Sequence, residues 1–223
     1  MSSIKENLKK VTAMLPQNVQ LIAVSKFHPV EALQEAYDAG QRLFGENRAQ
    51  ELIAKVPKLP KDIRWHFIGH LQKNKVRAIM PYVSVIESVD SVKLLQLIEK
   101  EAARINRTVE VLLQLHVAQE DTKSGFTPDE VLEAGEAGEL TFYPHVRVCG
   151  VMAMASLTED MDLVAREFDL VRRTYITLKD GPFDESEYFN ELSMGMSDDW
   201  QVAVKYGATL VRIGTAIFGE RKY

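Results

Sequence analysis

The sequence of 223 residues lacks several features that would assign it to a specialised class of protein. A single cysteine, Cys149, excludes an internal disulfide and a metal site built from several cysteines. The longest apolar stretches are interrupted within a few residues by Lys, Glu or Gln, so we expect no segment to span a membrane. The N-terminal residues MSSIKENLKK contain no apolar core of a secretory signal. These absences predict a cytoplasmic protein.

Positive charge does not predominate either. Lys and Arg total 27 against 32 Asp and Glu, which gives a formal net charge of -5. General nucleic-acid binders gain affinity by neutralising phosphates, so this balance argues against nucleic acid as a partner. Hydrophobic residues make up 46% and charged residues 26%, which is typical of a folded globular chain. Cys149 lies in the apolar run VRVCGVMAM, where we expect a packed, inert thiol.

Short β-branched apolar runs alternate with amphipathic stretches along the whole chain. Several of the amphipathic stretches begin with a helix-start signal. One example is the capping box with proline at Thr127-Pro128-Asp129-Glu130. Runs that are apolar on both faces and separated by helices are typical of parallel strands. The predicted strands cover residues 21–24, 42–44, 65–68, 83–87, 109–117, 146–154, 190–193 and 210–213.

Eight strand–helix units predict an α/β fold, a single (β/α)8 TIM barrel, preceded by an extra N-terminal helix from about Ile4 to Leu15. No linker, charge block or repeat divides the sequence, so we expect one domain over residues 1–223. An open, doubly wound sheet is the alternative. The lack of a GxGxxG motif after the first strand argues against its dinucleotide-binding form.

The chemistry of a TIM barrel lies at the C-terminal ends of its strands, and Lys26 follows the first strand. If Lys26 faces inward, Ile22 and Val24 share its side. Apolar walls disfavour the ammonium form and leave a neutral amine that can form a Schiff base. The alternative is a lysine whose charged end reaches solvent at the strand end.

The seventh and eighth strands each lead into a glycine and a hydroxyl residue. Gly195 and Ser197 follow the seventh strand, and Gly214 and Thr215 follow the eighth. TIM barrels bind phosphate at this position, where free N–H groups of helix N-termini meet the ligand. The alternative is helix capping, in which Ser197 caps a helix that runs to residue 206, and the acidic pair after Ser197 fits that interpretation.

Arg212 on the eighth strand shares the face of Leu210 and Gly214, so an inward orientation would bring its guanidinium near the phosphate position. A buried arginine needs an acceptor. A ligand would meet this need, and so would an internal ion pair with an acid such as Glu46.

Three histidines, His66, His70 and His116, are candidate metal ligands. Their spacing matches no zinc motif and no convergent carboxylate is evident, so we expect no metal. His66 is predicted to be a packed or hydrogen-bonded core residue. His70 lies in a loop at the barrel mouth, where a solvated loop is expected.

Six segments together give the sequence a strong resemblance to the YggS/PROSC family, the pyridoxal 5′-phosphate (PLP) homeostasis proteins. The matching segments extend from residue 21 to 219, and WHFIGHLQKNK and LSMGMS are the most specific among them. In chain order they are LIAVSKFHP, LFGENRAQE, WHFIGHLQKNK, VCGVMAM, ELSMGMSDDW and VRIGTAIFG.

The resemblance implies a cofactor and a set of site residues. Lys26 would hold PLP as a Schiff base, Asn47 would lie beside the ring, and Arg212 would face the pyridine nitrogen. From strand parity we add that Val24 and Ile86 would wall the ring. By resemblance the phosphate would be bound by Ser197, Gly214 and Thr215, with help from the Gly195 and Met196 backbone, while Met194 and Met196 would pack near the cofactor.

The function that this resemblance implies is intracellular PLP homeostasis, in which the protein holds, buffers or delivers the cofactor and affects amino-acid metabolism. Arginine opposite the pyridine nitrogen makes the ring a weak electron sink, so we expect no strong turnover and do not expect an enzyme. The alternatives are a minor PLP-dependent amino-acid racemase and a regulatory protein whose partner senses its PLP load. Expected partners are PLP and either apo-enzymes or a regulatory protein, with no membrane, and we expect a monomer.

Overall fold

Eight parallel strands close into a barrel in which each strand pairs with its neighbours in chain order, and β1 closes the circle with β8. This computed structural model describes residues 3–119 and 124–220. The closed barrel confirms the predicted (β/α)8 fold and rules out the open sheet. The polar segment 120–123, which the sequence predicts as a solvated loop, lies outside the described residues.

Strands and helices alternate as the sequence predicts. The strands are β1 (Gln20–Val24), β2 (Leu43–Glu46), β3 (Arg64–Phe67), β4 (Val85–Val89), β5 (Val109–Leu115), β6 (Val146–Ala153), β7 (Glu191–Ser193) and β8 (Leu210–Ile213). The helices are α1 (Ile4–Met14), α2 (Val30–Asp38), α3 (Ala49–Lys55), α4 (Lys73–Ile79), α5 (Val92–Arg104), α6 (Pro128–Glu136), α7 (Met161–Asp180), α8 (Trp200–Lys205) and α9 (Thr215–Phe218), and a short 3-10 helix, Val56–Lys58, follows α3.

The extra N-terminal helix, α1, is present and has a defined place in the fold. The Ser3 hydroxyl caps it by accepting the Glu6 N–H, and the Glu6 carboxylate accepts a hydrogen bond from the Ser3 N–H. The helix packs against α2 and α9, where the Asn7 side chain donates to the Ile217 carbonyl at 3.0 Å. This contact ties the start of the chain to the segment that follows β8.

Buried apolar side chains form two groups, one between strands and helices and one inside the barrel. The inner group consists of Ile22, Val85, Leu112, Cys149, Met152 and Leu210. Burial raises the pKa of the Cys149 thiol to about 12, with help from the nearby charges of Glu110 and Glu191. The predicted packing of this thiol is confirmed. No helix in the described ranges combines the length and apolar character that crossing a membrane would need.

Strand β4 corrects one prediction made from strand parity. Val85 belongs to the inner group, while Ile86 is fully buried in the layer between strands and helices. Ile86 therefore faces away from the barrel interior and does not wall a ligand there. Glu87, the next residue, extends into the interior, where it meets side chains of β3, β7 and β8.

Helix α8 corrects a second prediction. It begins at Trp200, and the N-cap position before it is Asp199 rather than Ser197. The Asp199 carboxylate accepts the Met196 N–H at 2.5 Å and closes a turn over residues 196–199. Ser197 lies within this turn and does not cap the helix.

Candidate functional site

A cavity of about 340 Å³ opens at the C-terminal ends of the strands, where a TIM barrel carries its chemistry. Its volume lies in the range of small-ligand sites. Two of the predicted residues do not line it. Met194 is fully buried in the outer core, and Gly195 is buried against Trp200 and Ala203 of α8. The lining consists of Val24, Lys26, Asn47, Ile68, Gly69, His70, Gln114, Ser124, Met154, Met196, Ser197, Arg212, Gly214 and Thr215.

Lys26 lies just beyond the end of β1 and reaches the cavity beside Val24. Ile22 belongs to the apolar interior directly below. The lysine is half-buried, so part of its stem is shielded from water while its end reaches the cavity. A primary amine in this position can react with an aldehyde bound in the cavity.

Arg212 enters the barrel interior from β8 and forms the floor of the cavity. Its guanidinium donates to the Ser193 hydroxyl at 2.6 Å and to the Ala153 carbonyl at 2.7 Å. A Glu87 oxygen lies 3.8 Å from the same guanidinium nitrogen that binds Ser193. Burial lowers the pKa of Arg212, while the negative charges of Glu87 and Asp199 oppose that shift. Because arginine is not deprotonated in proteins, the floor carries a fixed positive charge.

The acid that neutralises Arg212 is Glu87 rather than Glu46, which the sequence suggested. Glu46 instead faces α3, where its carboxylate lies 2.7 Å from the Lys55 ammonium. Glu87 accepts hydrogen bonds from the Ser193 hydroxyl and from His66 Nδ1, each at 2.6 Å. His66 is therefore a hydrogen-bonded core residue, as predicted.

The electrostatic state of Glu87 follows from its neighbours. Complete burial on its own raises the pKa of this carboxyl group. The hydrogen bond and charge of His66, the charge of Arg212 and the Ser193 hydroxyl outweigh burial, so the net shift of the pKa is downward. Glu87 is thus an ionised carboxylate at neutral pH that balances the charge at the cavity floor.

The side of the cavity beyond β7 and β8 presents hydroxyl and backbone N–H groups. Thr215 opens α9, and Ser197 lies in the turn that Asp199 closes. Within the described part of the chain, the N–H groups of Ser197, Asp198, Thr215 and Ala216 donate to no protein acceptor. A side chain at position 214 would place its Cβ 3.0 Å from the Val24 carbonyl oxygen, so a larger residue there would require the β1 backbone to move by a few tenths of an ångström. These groups can hold an anion.

Several cavity residues were not singled out from the sequence. A Cβ at Gly69 would lie 2.3 Å from the Asn47 carbonyl oxygen, so glycine allows the ends of β2 and β3 to approach closely. Gln114 donates to the Ser124 carbonyl at 2.6 Å. Gln114 is a polar residue inside the longest apolar run, and this break in the pattern is the signal that could have identified it. Met154 ends an apolar run that the sequence predicts to be part of the core.

His70 lies at the rim of the cavity and is largely exposed. Its Nδ1 is 3.2 Å from an Asp90 carboxylate oxygen and 3.2 Å from the Ser124 hydroxyl. His116 lies beyond the end of β5, and its Nδ1 is buried. The described residues contain no cluster of three His, Cys, Asp or Glu side chains that could bind a metal ion.

The donor set of the cavity fits a small aromatic phosphate that carries an aldehyde. Lys26 would supply the amine for the aldehyde, the groups around Ser197 and Thr215 would suit a phosphate, and Arg212 offers a charged donor at the cavity floor. The Asn47 amide oxygen is buried and accepts no hydrogen bond from the described protein atoms. A polar ligand in the cavity would satisfy that need.

Comparison with known proteins gives matches over nearly the whole chain. The family model "alanine racemase, N-terminal domain" matches residues 1–222. Pyridoxal phosphate homeostasis proteins of Vibrio alginolyticus and Schizosaccharomyces pombe are each 37% identical, over 100% and 99% of this chain and 100% and 94% of their own. The solved structure of PipY from Synechococcus elongatus, without PLP, is 38% identical and superposes with a TM-score of 0.90 over 97% of this chain and 100% of its own.

Two further structures bear on the cavity and the fold. PipY has also been solved with PLP bound, and that structure superposes with a TM-score of 0.85 over 97% of this chain and 100% of its own. Alanine racemase from E. faecalis is 18% identical and superposes with a TM-score of 0.75, over 97% of this chain and 57% of the racemase. The racemase likeness concerns the barrel fold alone.

Proposed function

The chain belongs to the family of pyridoxal phosphate homeostasis proteins, within the wider alanine racemase N-terminal domain family, and we propose that its cavity binds PLP for storage and release. The single observation that supports this function is the meeting of Lys26, Arg212 and the turns after β7 and β8 around one cavity. An absorbance spectrum of the purified protein before and after addition of PLP tests it. A spectrum equal to the sum of its components would contradict it.

The aldehyde of bound PLP condenses with a primary amine, and we propose Lys26 as that amine. Lys26 lies beside Val24, with Ile22 in the apolar interior below, and its end reaches the cavity, where its amine can attack a bound aldehyde. Asn47 would lie beside the ring and donate or accept through its amide. We propose that residues 1–223 act as one PLP-binding domain.

Arg212 would face the pyridine nitrogen and keep it unprotonated, because a guanidinium stays protonated and because Glu87 and Ser193 hold it in place. An unprotonated ring nitrogen withdraws electrons weakly. In the described part of the chain, the titratable side chains that line the cavity are Lys26, His70 and Arg212. This set favours holding PLP over turning over amino acids.

We therefore propose a non-catalytic carrier, and racemase activity is the competing function. A steady-state racemisation assay separates the two. Turnover that disappears in Lys26→Ala would establish an enzyme, whereas racemisation at the rate of free PLP supports a carrier.

The partners proposed for this carrier are apo-enzymes that accept PLP or a regulatory protein that senses the load. The protein would act as a monomer in the cytoplasm. Affinity capture with the PLP-loaded and PLP-free protein tests the sensing role, and equal capture of a partner by both forms would count against it.

The phosphate position gives a testable prediction. Ser197→Ala combined with Thr215→Ala should weaken PLP retention, because each hydroxyl lost from a charged phosphate costs about 1.5–3 kcal/mol. The dissociation constant, measured by absorbance titration, should rise by at least an order of magnitude. Thr127→Ala, which removes a hydroxyl from the α6 cap outside the cavity, is the control. Unchanged retention in the double variant would assign phosphate binding elsewhere.

A further inference from the structure

The backbone on both sides of Lys26 is hydrogen-bonded to one ionic cluster, which consists of Lys55, Glu46 and Glu51. On the N-terminal side, the Ser25 carbonyl accepts a hydrogen bond from the Lys55 ammonium at 2.9 Å, and the Ser25 hydroxyl donates to Glu46 at 2.6 Å. On the C-terminal side, the Phe27 N–H donates to a Glu51 oxygen at 2.8 Å. Lys26 is thus the residue between two anchored neighbours.

Lys55 joins the two anchors into one unit. Its ammonium lies 2.7 Å from Glu46 and 3.1 Å from Glu51, in addition to its bond to the Ser25 carbonyl. An ammonium has three donors, and these partners use all of them. The Lys55 side chain is buried, although the residue belongs to a short helix, α3, on the outside of the barrel.

The backbone conformation at Phe27 gives an independent reason to look for an anchor. Its φ is +67°, in the left-handed region that a bulky residue rarely adopts. The Glu51 hydrogen bond and the Arg48 guanidinium, 4.6 Å from the centre of the Phe27 ring, hold it there. Such conformations persist only where the surrounding structure imposes them, and they concentrate at functional sites.

Stability alone gives a poor account of this cluster. One oxygen of the buried Glu46 carboxyl group, Oε2, accepts no hydrogen bond from the described protein atoms, and burial raises the pKa of Glu46 against the opposing charge and hydrogen bond of Lys55. For Glu51, burial also acts to raise the pKa, but the Phe27 N–H and Lys55 outweigh it and the net shift is downward. Buried ion pairs contribute little net stability, whereas they can specify geometry.

We propose that Lys55, Glu46 and Glu51 form a positioning cluster that holds the Lys26 backbone so that its amine meets the aldehyde of PLP. Condensation forms a C=N bond between the Lys26 nitrogen and the aldehyde carbon, and the aldehyde oxygen leaves as water with the two protons of the neutral amine. This reaction requires a defined approach of nitrogen to carbonyl carbon, and small displacements of the reacting group slow it strongly. The inference rests on the proposed function, because it concerns the same amine. It assigns these three residues a role in the rate of bond formation rather than in ligand affinity.

The test compares two ligands that differ at the reacting carbon. PLP carries the aldehyde, and pyridoxine 5′-phosphate carries a hydroxymethyl group that cannot condense. Glu51→Ala removes the Phe27 anchor and should slow formation of the visible absorbance band by about tenfold or more in stopped-flow mixing. The dissociation constant of pyridoxine 5′-phosphate should stay within about twofold, since the groups that line the cavity are unchanged.

Two variants make the comparison specific. Glu51→Gln retains an acceptor for the Phe27 N–H and should recover most of the native rate. Asp169→Ala removes an exposed pair on α7, in which Asp169 and Arg173 lie 2.9 Å apart, and should leave both measurements at native values. If Glu51→Ala does not fold, Phe27→Gly loosens the same segment without removing a buried charge and carries the same expectation.

The outcomes separate this inference from the proposed function. A native rate of band formation in Glu51→Ala would overturn the positioning role. So would an equal loss of affinity for PLP and for pyridoxine 5′-phosphate. If the native protein forms no band, or if borohydride traps PLP on a lysine other than Lys26, the proposed function itself fails. A slow band with unchanged affinity for pyridoxine 5′-phosphate supports the inference.

Discussion

Lys26→Ala should abolish both the visible absorbance of added PLP and the adduct that borohydride reduction traps. The side chain supplies the amine proposed to condense with the aldehyde, and nothing else in the lining of the described cavity offers a primary amine. The melting temperature should stay near the native value, because a half-buried lysine beyond a strand end contributes little core packing. Absorbance and mass mapping of the reduced peptide measure the result.

Two observations would identify a different amine. Lys73→Ala, at the exposed start of α4, is the matched control and should bind PLP as the native chain does. An adduct that survives in Lys26→Ala and maps to Lys123, which lies outside the described residues, would show that the modified lysine was misassigned. Complete loss of the adduct in Lys26→Ala alone supports the proposed function.

The sequence predicted the barrel and placed Arg212, Leu210 and Gly214 on one face of β8, and the structure shows that this face points inward. Strand–helix alternation alone implies parallel strands. On β8 the charged Arg212 and the glycine after the strand share one face with Leu210, and Leu210 belongs to the inner group. A charge that must find a partner inside the barrel is a stronger marker of orientation than apolar character.

The apolar residues of strand β4 give no marker of orientation, because the strand is buried on both faces. Val85 and Ile86 are equally apolar, so their pattern could not tell the interior of the barrel from the helix layer. Glu87 was the informative residue, and its contacts with His66 and Ser193 depend on strands that are distant in sequence. Partners of that kind require the closed barrel before they can be assigned.

The turn after β7 shows a different limit of sequence reasoning. Serine is a common helix-capping residue, which favoured Ser197 as the cap. In the structure the Asp199 carboxylate accepts the Met196 N–H, and the helix starts later. Both residues can accept a backbone N–H, so composition did not decide between them. The outcome leaves the Ser197 hydroxyl at the cavity wall.

Glu87→Ala should lower the free energy of unfolding by about 3–5 kcal/mol, because it leaves Arg212 buried without its carboxylate. Urea unfolding of the protein without PLP measures this loss. Glu99→Ala is the matched control, since Glu99 also pairs with a histidine, His145, at 2.9 Å but is partly exposed. That change should cost about 1 kcal/mol or less. Equal losses in the two variants would contradict a special role for the interior pair.

The pH dependence of the same pair provides a second measurement with a defined sign. Since the pKa of Glu87 is lower in the folded protein than in the unfolded chain, its stabilisation is complete above the unfolded pKa. That stabilisation is lost as the pH falls through the folded pKa, where the carboxylate takes up a proton and no longer balances Arg212. The difference in unfolding free energy between native and Glu87→Ala should therefore stay constant down to about pH 4.5, the ordinary pKa of this carboxyl group in the unfolded chain, and narrow as the pH falls from there towards about pH 3. A difference that stays constant over this range would show that Glu87 stabilises the barrel through packing and not through its charge.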